Sequence, residues 1–169
     1  MRVAGIDPGT IRTGVAILEE NGRGQYAVHH FEIIKAPSSR PLPERLRIIY
    51  SGLKELFTIY QPEIVALENV FFQKDFKAAV KIGEARAMAM LAAVEQSLAV
   101  EEYPPATIKQ AVCGNGRAAK EQVQFMIKQI LRLKEMPPSD AADALAVAIC
   151  HFHMNGRASK KILSAVKLK

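Results

Sequence analysis

The sequence has few cysteines and no long apolar run. Only Cys113 and Cys150 are present among 169 residues, which excludes a disulfide framework and fits a reducing compartment. The longest unbroken apolar run, Ala87 to Val94, is far shorter than the roughly 20 residues that span a bilayer. The first residues lead straight into a strand-like segment, without the layout of a signal peptide. These absences and the chain length predict one cytoplasmic domain.

Acidic residues are scarce in two stretches of the C-terminal half. Between Pro104 and Lys134 six basic residues accompany one acid, Glu121, and the basic residues after Asn155 accompany none. With a formal net charge of +6, this distribution favours a polyanionic partner. Ordinary solvated surfaces show the same pattern, so a nucleic-acid interpretation needs a chemical site beside the charge. We predict one domain at residues 1–155 and a basic C-terminal tail at 156–169.

The apolar pattern predicts an α/β domain. Three strands come first, and glycines in the stretch from Glu20 to Gly24 predict a hairpin between the second and third. The fourth strand, which ends at Glu68, is apolar on both faces and is therefore expected to be central and parallel. Helices between the later strands predict a five-stranded mixed sheet with helices on both faces. The predicted strands are 2–7, 13–19, 25–34, 63–68 and 99–103, and the predicted helices are about 43–60, 78–98, 117–133 and 140–153.

Four acidic residues come from three separate segments of this pattern. Asp7 ends the first strand and Glu68 ends the fourth, and sites form at the carboxyl ends of parallel strands. Asp140 and Asp143 lie three residues apart at the start of a helix, so both are on one helix face. Four converging carboxylates repel one another unless cations neutralise them. Their oxygen atoms suit Mg²⁺ or Mn²⁺, and two such ions can drive phosphodiester hydrolysis.

Each acid also has a purely structural explanation. Asp7-Pro8-Gly9 fits an ordinary turn, Glu68 fits a strand end that faces water, and Asp140 fits a helix N-cap. These explanations are independent of one another, whereas a metal site explains all four acids together.

Other segments add candidate contacts. Phe71 and Phe72 follow the fourth strand, where an aromatic ring can stack on an unpaired base; Phe72 suits the core equally well. The long helix is nearly apolar all round, which predicts a core face and a dimer face, or a central helix of a monomer. Cys150, His151 and His153 lack a second ligand group at zinc spacing, so we predict no zinc site there.

Five stretches together resemble RuvC, the bacterial Holliday junction resolvase family. They are "GIDPGTIRTG", "ALENVFF", "KIGEARAMAMLAAVEQ", "YPPATIKQAVCGNGRAAKEQV" and "DAADALAVAICH", and the resemblance runs from Arg2 to about His153. It implies an RNase H-like fold and a homodimer. It also implies Mg²⁺-dependent cutting of four-way DNA junctions in recombination and repair, alongside the branch-migration proteins RuvA and RuvB.

The resemblance also implies roles for particular residues. Asp7, Glu68, Asp140 and Asp143 match the catalytic acids, which would hold two Mg²⁺ ions per subunit, with Mn²⁺ as a substitute. Symmetric nicks with 5′-phosphate and 3′-hydroxyl ends would result. The sequence departs from the family at Val15, where an aromatic is common, and at Ile11, where a basic residue is common. The residues expected to contact DNA are Phe71, Lys109, Arg117, Lys120 and Arg12, and Lys120 is also expected to act in catalysis.

Three other functions remain open at this stage. An RNA-processing nuclease of the same fold would carry the same acids. An ATP-binding kinase or actin-like ATPase has a similar first phosphate motif, but it needs two such lobes. A DNA-binding module without catalysis is disfavoured, because uncompensated acids repel phosphate.

Overall fold

The computed structural model describes residues 1–21, 24–69 and 76–166, with the side chains of 76–78 and 156–166 left out. Five strands and five helices alternate along these residues in the order β1–β3, α1, β4, α2, β5 and α3–α5. The strands are β1 (Arg2–Asp7), β2 (Arg12–Glu20), β3 (Tyr26–Lys35), β4 (Ile64–Glu68) and β5 (Ala99–Tyr103). The helices are α1 (Leu42–Tyr60), α2 (Phe76–Val94), α3 (Pro105–Cys113), α4 (Lys120–Ile130) and α5 (Ser139–Val166).

The five strands form one mixed sheet in the order β3-β2-β1-β4-β5. The first three strands are an antiparallel meander, whereas β4 is parallel to both β1 and β5. The apolar core of β4, Val65 to Leu67, is fully buried, as expected for a strand covered on both faces. The predicted mixed sheet and the predicted central position of the fourth strand are therefore confirmed.

Two hydrophobic cores lie on opposite faces of the sheet. On one face, Val3, Leu18 and Ala66 pack with α3, α4 and α5. On the other face, Ile6 and Leu67 pack with α1 and α2. Successive strand residues point to opposite faces, so each strand contributes to both cores. This arrangement leaves the carboxyl ends of β1 and β4 open at one edge of the layers.

Helix α3 was not predicted. The sequence Pro104-Pro105 was interpreted only as the end of a strand, but proline also suits the first turn of a helix, where no N–H donor is needed. Pro104 is the N-cap of α3, and Pro105 is its first residue. The helix ends at Gly114, whose φ of 70° is left-handed and whose N–H donates to the carbonyl oxygen of Gln110.

The ends of the other helices differ from their predicted positions. Helix α2 ends at Val94, because the chain turns through Ser97, which has a φ of 58°. Helix α4 begins at Lys120 instead of residue 117, because the side chain of Asn115 accepts from the N–H of Arg117 in a turn.

Helix α5 ends at Val166 instead of His153 and is 28 residues long, so it crosses the predicted boundary between 155 and 156. No proline interrupts this stretch of sequence, and a single glycine inside a helix costs only about 1 kcal/mol. Among the described residues, no helix combines the length and apolar character needed to cross a membrane.

Candidate active site

Three elements bring the four acidic residues to one edge of the sheet. Asp7 is the last residue of β1 and Glu68 is the last residue of β4. The parallel pairing of Ile6 with Leu67 places these two strand ends side by side. Asp140 and Asp143 lie in the first turns of α5, three residues apart and therefore on the same helix face. Asp140 is therefore inside the helix, because α5 begins at Ser139.

Two glycines determine how closely α5 approaches the sheet. A Cβ on Gly5 would lie 2.2 Å from the carbonyl oxygen of Ala144, and a Cβ on Gly14 would lie 2.0 Å from that of Asp140. Gly14 also pairs directly with Asp7 across the β1–β2 ladder. We call this contact of Gly5 and Gly14 with α5 the glycine seam. The glycine seam holds the start of α5 against the end of β1. In the sequence, only the presence of glycine inside two strands indicates such a close approach.

The electrostatics of the site indicate that the acids interact. The pKa of Asp7 is raised to about 8, first by burial and then by the nearby charges of Asp143, Glu68 and Asp140, against the opposite effect of Lys120. Burial and then Asp143 also raise the pKa of Glu68, whereas Lys109 and Lys120 act to lower it. The predicted convergence of the four acids is thus present in the structure, and the nearby cations do not fully offset the burial and mutual repulsion of Asp7 and Glu68.

Two cationic side chains partner two of the four acids. Lys120 Nζ lies 2.7 Å from Asp143 Oδ2, and Arg12 Nε lies 2.5 Å from Asp140 Oδ2. Burial alone would lower the pKa of Lys120, but its hydrogen bond to Asp143 and the nearby acids outweigh that effect and raise it. Lys120 therefore stays protonated beside the cluster.

The donor set fits a hard divalent cation. All four groups are carboxylates, the ligands that Mg²⁺ and Mn²⁺ prefer. Burial and then repulsion from the other acids raise the pKa of Asp7, and a bound cation would offset both effects. In the described part of the chain, however, no three acid, histidine or cysteine side chains are arranged to share one ion. Asp140 and Asp143 instead pair with Arg12 and Lys120, so a cation would compete with these two side chains for the carboxylates.

A cavity of about 160 Å³ opens beside the acids. Helix α3 contributes Lys109 to its wall, and the start of α4 contributes Lys120. The same cavity is lined by Glu68 and Asp143, so two lysines and two acids face one space. This arrangement can bind a phosphate group next to the carboxylates. Lys109 reaches the site because it lies on α3, a helix that the sequence pattern does not predict.

The remaining candidates lie in different places. Arg117 is exposed in the turn between α3 and α4. Phe71 and Phe72 lie outside the described residues. His151 is a fully buried core residue, with Nδ1 2.8 Å from the hydroxyl of Tyr103 and Nε2 2.7 Å from the side-chain nitrogen of Asn155.

The contact between Tyr103 and His151 joins α5 to β5. We call it the polar tie. Tyr103 pairs with Glu68 across the β4–β5 ladder, and its carbonyl oxygen accepts from the N–H of Asn69. The polar tie therefore connects the helix that carries Asp143 with the strand end that carries Glu68. The sequence held no signal for this link, because its two partners are 48 residues apart.

Helix α2 has the predicted core face and a second apolar face. Ala85 and Ala89 are fully buried against the sheet, as expected. Val80, Leu91 and Val94 are 44%, 44% and 66% exposed, so a row of apolar side chains faces outward. A Cβ on Gly83 would meet nothing within 4 Å in the described part of the chain, so this glycine serves no close contact there.

The chain is similar in sequence to curated nucleases along most of its length. The sequence model of the family "Crossover junction endodeoxyribonuclease RuvC" matches residues 3–151. A crossover junction endodeoxyribonuclease RuvC from Dehalococcoides mccartyi is 49% identical over 152 residues, covering 89% of this chain and 92% of the relative. The protein of that name from Citrifermentans bemidjiense is 47% identical over 156 residues, covering 92% and 94%.

Solved structures share the same architecture. RuvC of Thermus thermophilus, solved in complex with a Holliday junction substrate, has a TM-score of 0.84 at 40% identity and covers 89% of this chain and 92% of its own. The yeast mitochondrial Holliday junction resolvase Ydc2 has a TM-score of 0.60 at 14% identity, covering 88% of this chain and 78% of its own, a likeness of fold alone. The expected RNase H-like fold is confirmed.

Proposed function

Because this chain belongs to the RuvC family of crossover junction endodeoxyribonucleases, we propose that it resolves four-way DNA junctions by symmetric, Mg²⁺-dependent nicking of two strands. The observation that carries this proposal is the convergence of Asp7, Glu68, Asp140 and Asp143 beside two lysines. The acids suit a metal, and the lysines suit the DNA backbone. A kinase or ATPase function is no longer supported, because the family match covers residues 3–151.

The four acids are the proposed metal ligands. We place two Mg²⁺ ions per subunit on them, and Mn²⁺ is expected to substitute. The bound ions would act as Lewis acids and neutralise charge that develops at the phosphate. In the proposed reaction, the oxygen of a water molecule bonds to phosphorus and that water loses a proton. The bond from phosphorus to the 3′ oxygen breaks, and the 3′ oxygen gains a proton. The expected products are 5′-phosphate and 3′-hydroxyl ends.

The lysines are proposed to hold the phosphate. Lys120 lies at the first residue of α4, where the free N–H groups of the helix also favour an anion. Its ammonium group can donate to a phosphoryl oxygen once it leaves Asp143, and this is its proposed catalytic role. Lys109 faces the same cavity, and Arg117 lies on the exposed turn beyond it. Both are proposed DNA contacts.

Two further parts of the proposal concern selectivity for junctions. Phe71 is proposed to stack on an unpaired base, which typically contributes about 1–3 kcal/mol. The exposed apolar face of α2 is proposed as the homodimer contact, because a two-fold axis would present one acid cluster to each of two symmetric strands. We also propose that the protein works in the cytoplasm with RuvA and RuvB in recombination and repair.

A cleavage panel tests this function. A synthetic four-way junction, duplex DNA and an RNA–DNA hybrid are each incubated with the protein and Mg²⁺ or Ca²⁺. We expect paired symmetric nicks in the junction with Mg²⁺ only. Asp7→Asn should bind the junction but not cut it, whereas Glu135→Gln, which changes an exposed acid between α4 and α5, should cut normally. Preference for the hybrid would favour an RNA-processing nuclease, and normal cutting by Asp7→Asn would refute the metal assignment.

A further inference from the structure

Arg12 forms an ion pair with Asp140, one of the four proposed metal ligands. Neither residue lines the cavity that Lys109 and Lys120 face. Arg12 Nε donates to Asp140 Oδ2 at 2.5 Å. The side chain of Arg12 is 51% exposed and that of Asp140 is 23% exposed. Among the described residues, neither terminal nitrogen of the Arg12 guanidinium donates to an acceptor. One edge of this group therefore faces the acid cluster while the other is free for a second anion.

The backbone before Arg12 is fixed by several contacts. A Cβ on Gly9 would lie 2.4 Å from the carbonyl oxygen of Arg12, so only glycine allows this close turn. The hydroxyl of Thr13 donates to the carbonyl oxygen of Gly9 at 2.8 Å. Arg45 Nη1 donates to the carbonyl oxygen of Thr10 at 3.0 Å. The turn therefore presents Arg12 to Asp140 from a rigid support.

Asp140 does not depend on Arg12 for its place in the fold. It lies in the first turn of α5, where the helix N-terminus already favours a carboxylate. A half-exposed ion pair of this kind is weak and opens readily. A divalent cation that takes Asp140 Oδ2 as a ligand competes with Arg12 for that oxygen.

We propose that Arg12 is the resident counter-ion of Asp140, which a divalent cation displaces so that the guanidinium can bind the DNA backbone. This inference rests on the proposed metal-dependent function. Arg12 would thereby neutralise Asp140 in the metal-free protein and would link metal binding to DNA binding. Arg12 would therefore have two partners: Asp140 in the metal-free protein, and a phosphate group when metal and DNA are bound.

Direct metal titration tests the first half of the inference. Mn²⁺ binding to DNA-free protein is measured from the free-Mn²⁺ electron paramagnetic resonance signal. Arg12→Gln should bind Mn²⁺ about three- to fivefold more tightly than wild type, because its competitor is gone. Arg12→Lys should stay nearer to wild type. The matched control is Arg40→Gln, since Arg40 is 54% exposed and also pairs with a carboxylate, that of Glu44.

A second measurement separates displacement from simple charge repulsion. The Nε–H resonance of Arg12, assigned by its loss in Arg12→Lys, is followed by NMR as Mg²⁺ is added. We expect it to shift and to exchange faster with water at saturating Mg²⁺. With Ca²⁺ present, Arg12→Gln should also weaken junction binding, whereas without metal it should change little.

The outcomes test the role of Arg12 separately from the proposed metal-dependent nuclease function. Equal Mn²⁺ affinity in wild type and Arg12→Gln, or an Nε–H resonance unchanged at saturating Mg²⁺, overturns the role of Arg12 alone. Absence of Mn²⁺ binding in wild type overturns the metal-dependent function as well. Circular dichroism of Arg12→Gln confirms that any change comes from a folded protein.

Discussion

Helix α5 is held to the sheet by two unlike contacts, the glycine seam near the acids and the polar tie farther along the helix. At the seam, backbone meets backbone at a distance that leaves no room for a methyl group. At the tie, Tyr103 and His151 meet through a single hydrogen bond within the core. The glycine seam fixes the position of α5 by steric contact, so any added side-chain atom must push the helix away. The polar tie contributes only the modest energy of one hydrogen bond, so its loss need not displace the helix.

The largest expected effect comes from closing the seam with a methyl group. Gly14→Ala would place a Cβ 2.0 Å from the Asp140 carbonyl oxygen, so the start of α5 must move away from Asp7. We expect cleavage to fall by about 100-fold, the usual effect of a 1 Å displacement of reacting groups. Overpacking should also lower the free energy of unfolding by about 1–3 kcal/mol. Junction cleavage rates and chemical denaturation measure the two effects.

Gly52→Ala is the matched control for the seam. A Cβ at this position would meet the end of the Ile34 side chain at 3.0 Å, and that side chain can adjust. We therefore expect near-normal cleavage. If Gly14→Ala also cuts at the wild-type rate, the seam does not position the acids.

An intermediate effect should appear in the pH dependence of stability. The pKa of Asp7 rises from 3.8 to about 8 in the folded protein, so the folded state binds a proton more tightly than the unfolded state. This carboxyl group therefore makes the metal-free protein progressively less stable as the pH rises from about 4 to about 8. Asp7→Asn should be about 1–3 kcal/mol more stable than wild type at pH 8 in EDTA.

That gain should vanish near pH 4, where wild-type Asp7 is itself neutral. Thermal unfolding across this pH range measures it, with Glu135→Gln as the control. A constant difference at all pH values would show that the substitution acts through packing and that the acids at the seam are not strongly coupled.

The smallest expected effect comes from cutting the tie. Tyr103→Phe removes the hydroxyl that contacts His151 and keeps the ring, so the free energy of unfolding should fall by about 1–2 kcal/mol at pH 7.5. Burial lowers the pKa of His151, so its ring is neutral at that pH. Cleavage should fall less than about tenfold, because Tyr103 holds Glu68 through its backbone as well.

Tyr26→Phe is the control for the tie. The Tyr26 ring stacks on Phe152 at 5.4 Å, and its hydroxyl makes no hydrogen bond within the described part of the chain. It should leave both stability and cleavage nearly unchanged. A loss of cleavage in Tyr103→Phe as large as in Gly14→Ala would mean that the two contacts position the acids equally.

The acids could be predicted from the sequence because their signals are local. An apolar run that ends in Asp7, another that ends in Glu68 and two aspartates at a helix start each lie within a few residues. The strands could be predicted for the same reason. The Pro104-Pro105 pair predicts the end of a strand, but it also begins α3, because proline is compatible with both positions.

What holds the acids in place could not be predicted, because it depends on distant contacts. Gly14 touches Asp140 and Tyr103 touches His151 only after the sheet and α5 have packed. The pairing of Arg12 with Asp140 likewise joins residues 128 positions apart. A single sequence does not indicate which residues so far apart along the chain will be in contact.

The position of β5 at the end of the sheet has a consequence for solubility. A last strand leaves a row of backbone N–H and C=O groups open to any other extended chain, which is a common route to aggregation. Here that strand carries the exposed residues Glu101 and Glu102. Glu102 forms an ion pair with Arg86 of α2, so the exposed carboxylate of Glu101 is the group that repels a second copy of the same strand. The charge on this edge therefore disfavours aggregation by strand pairing.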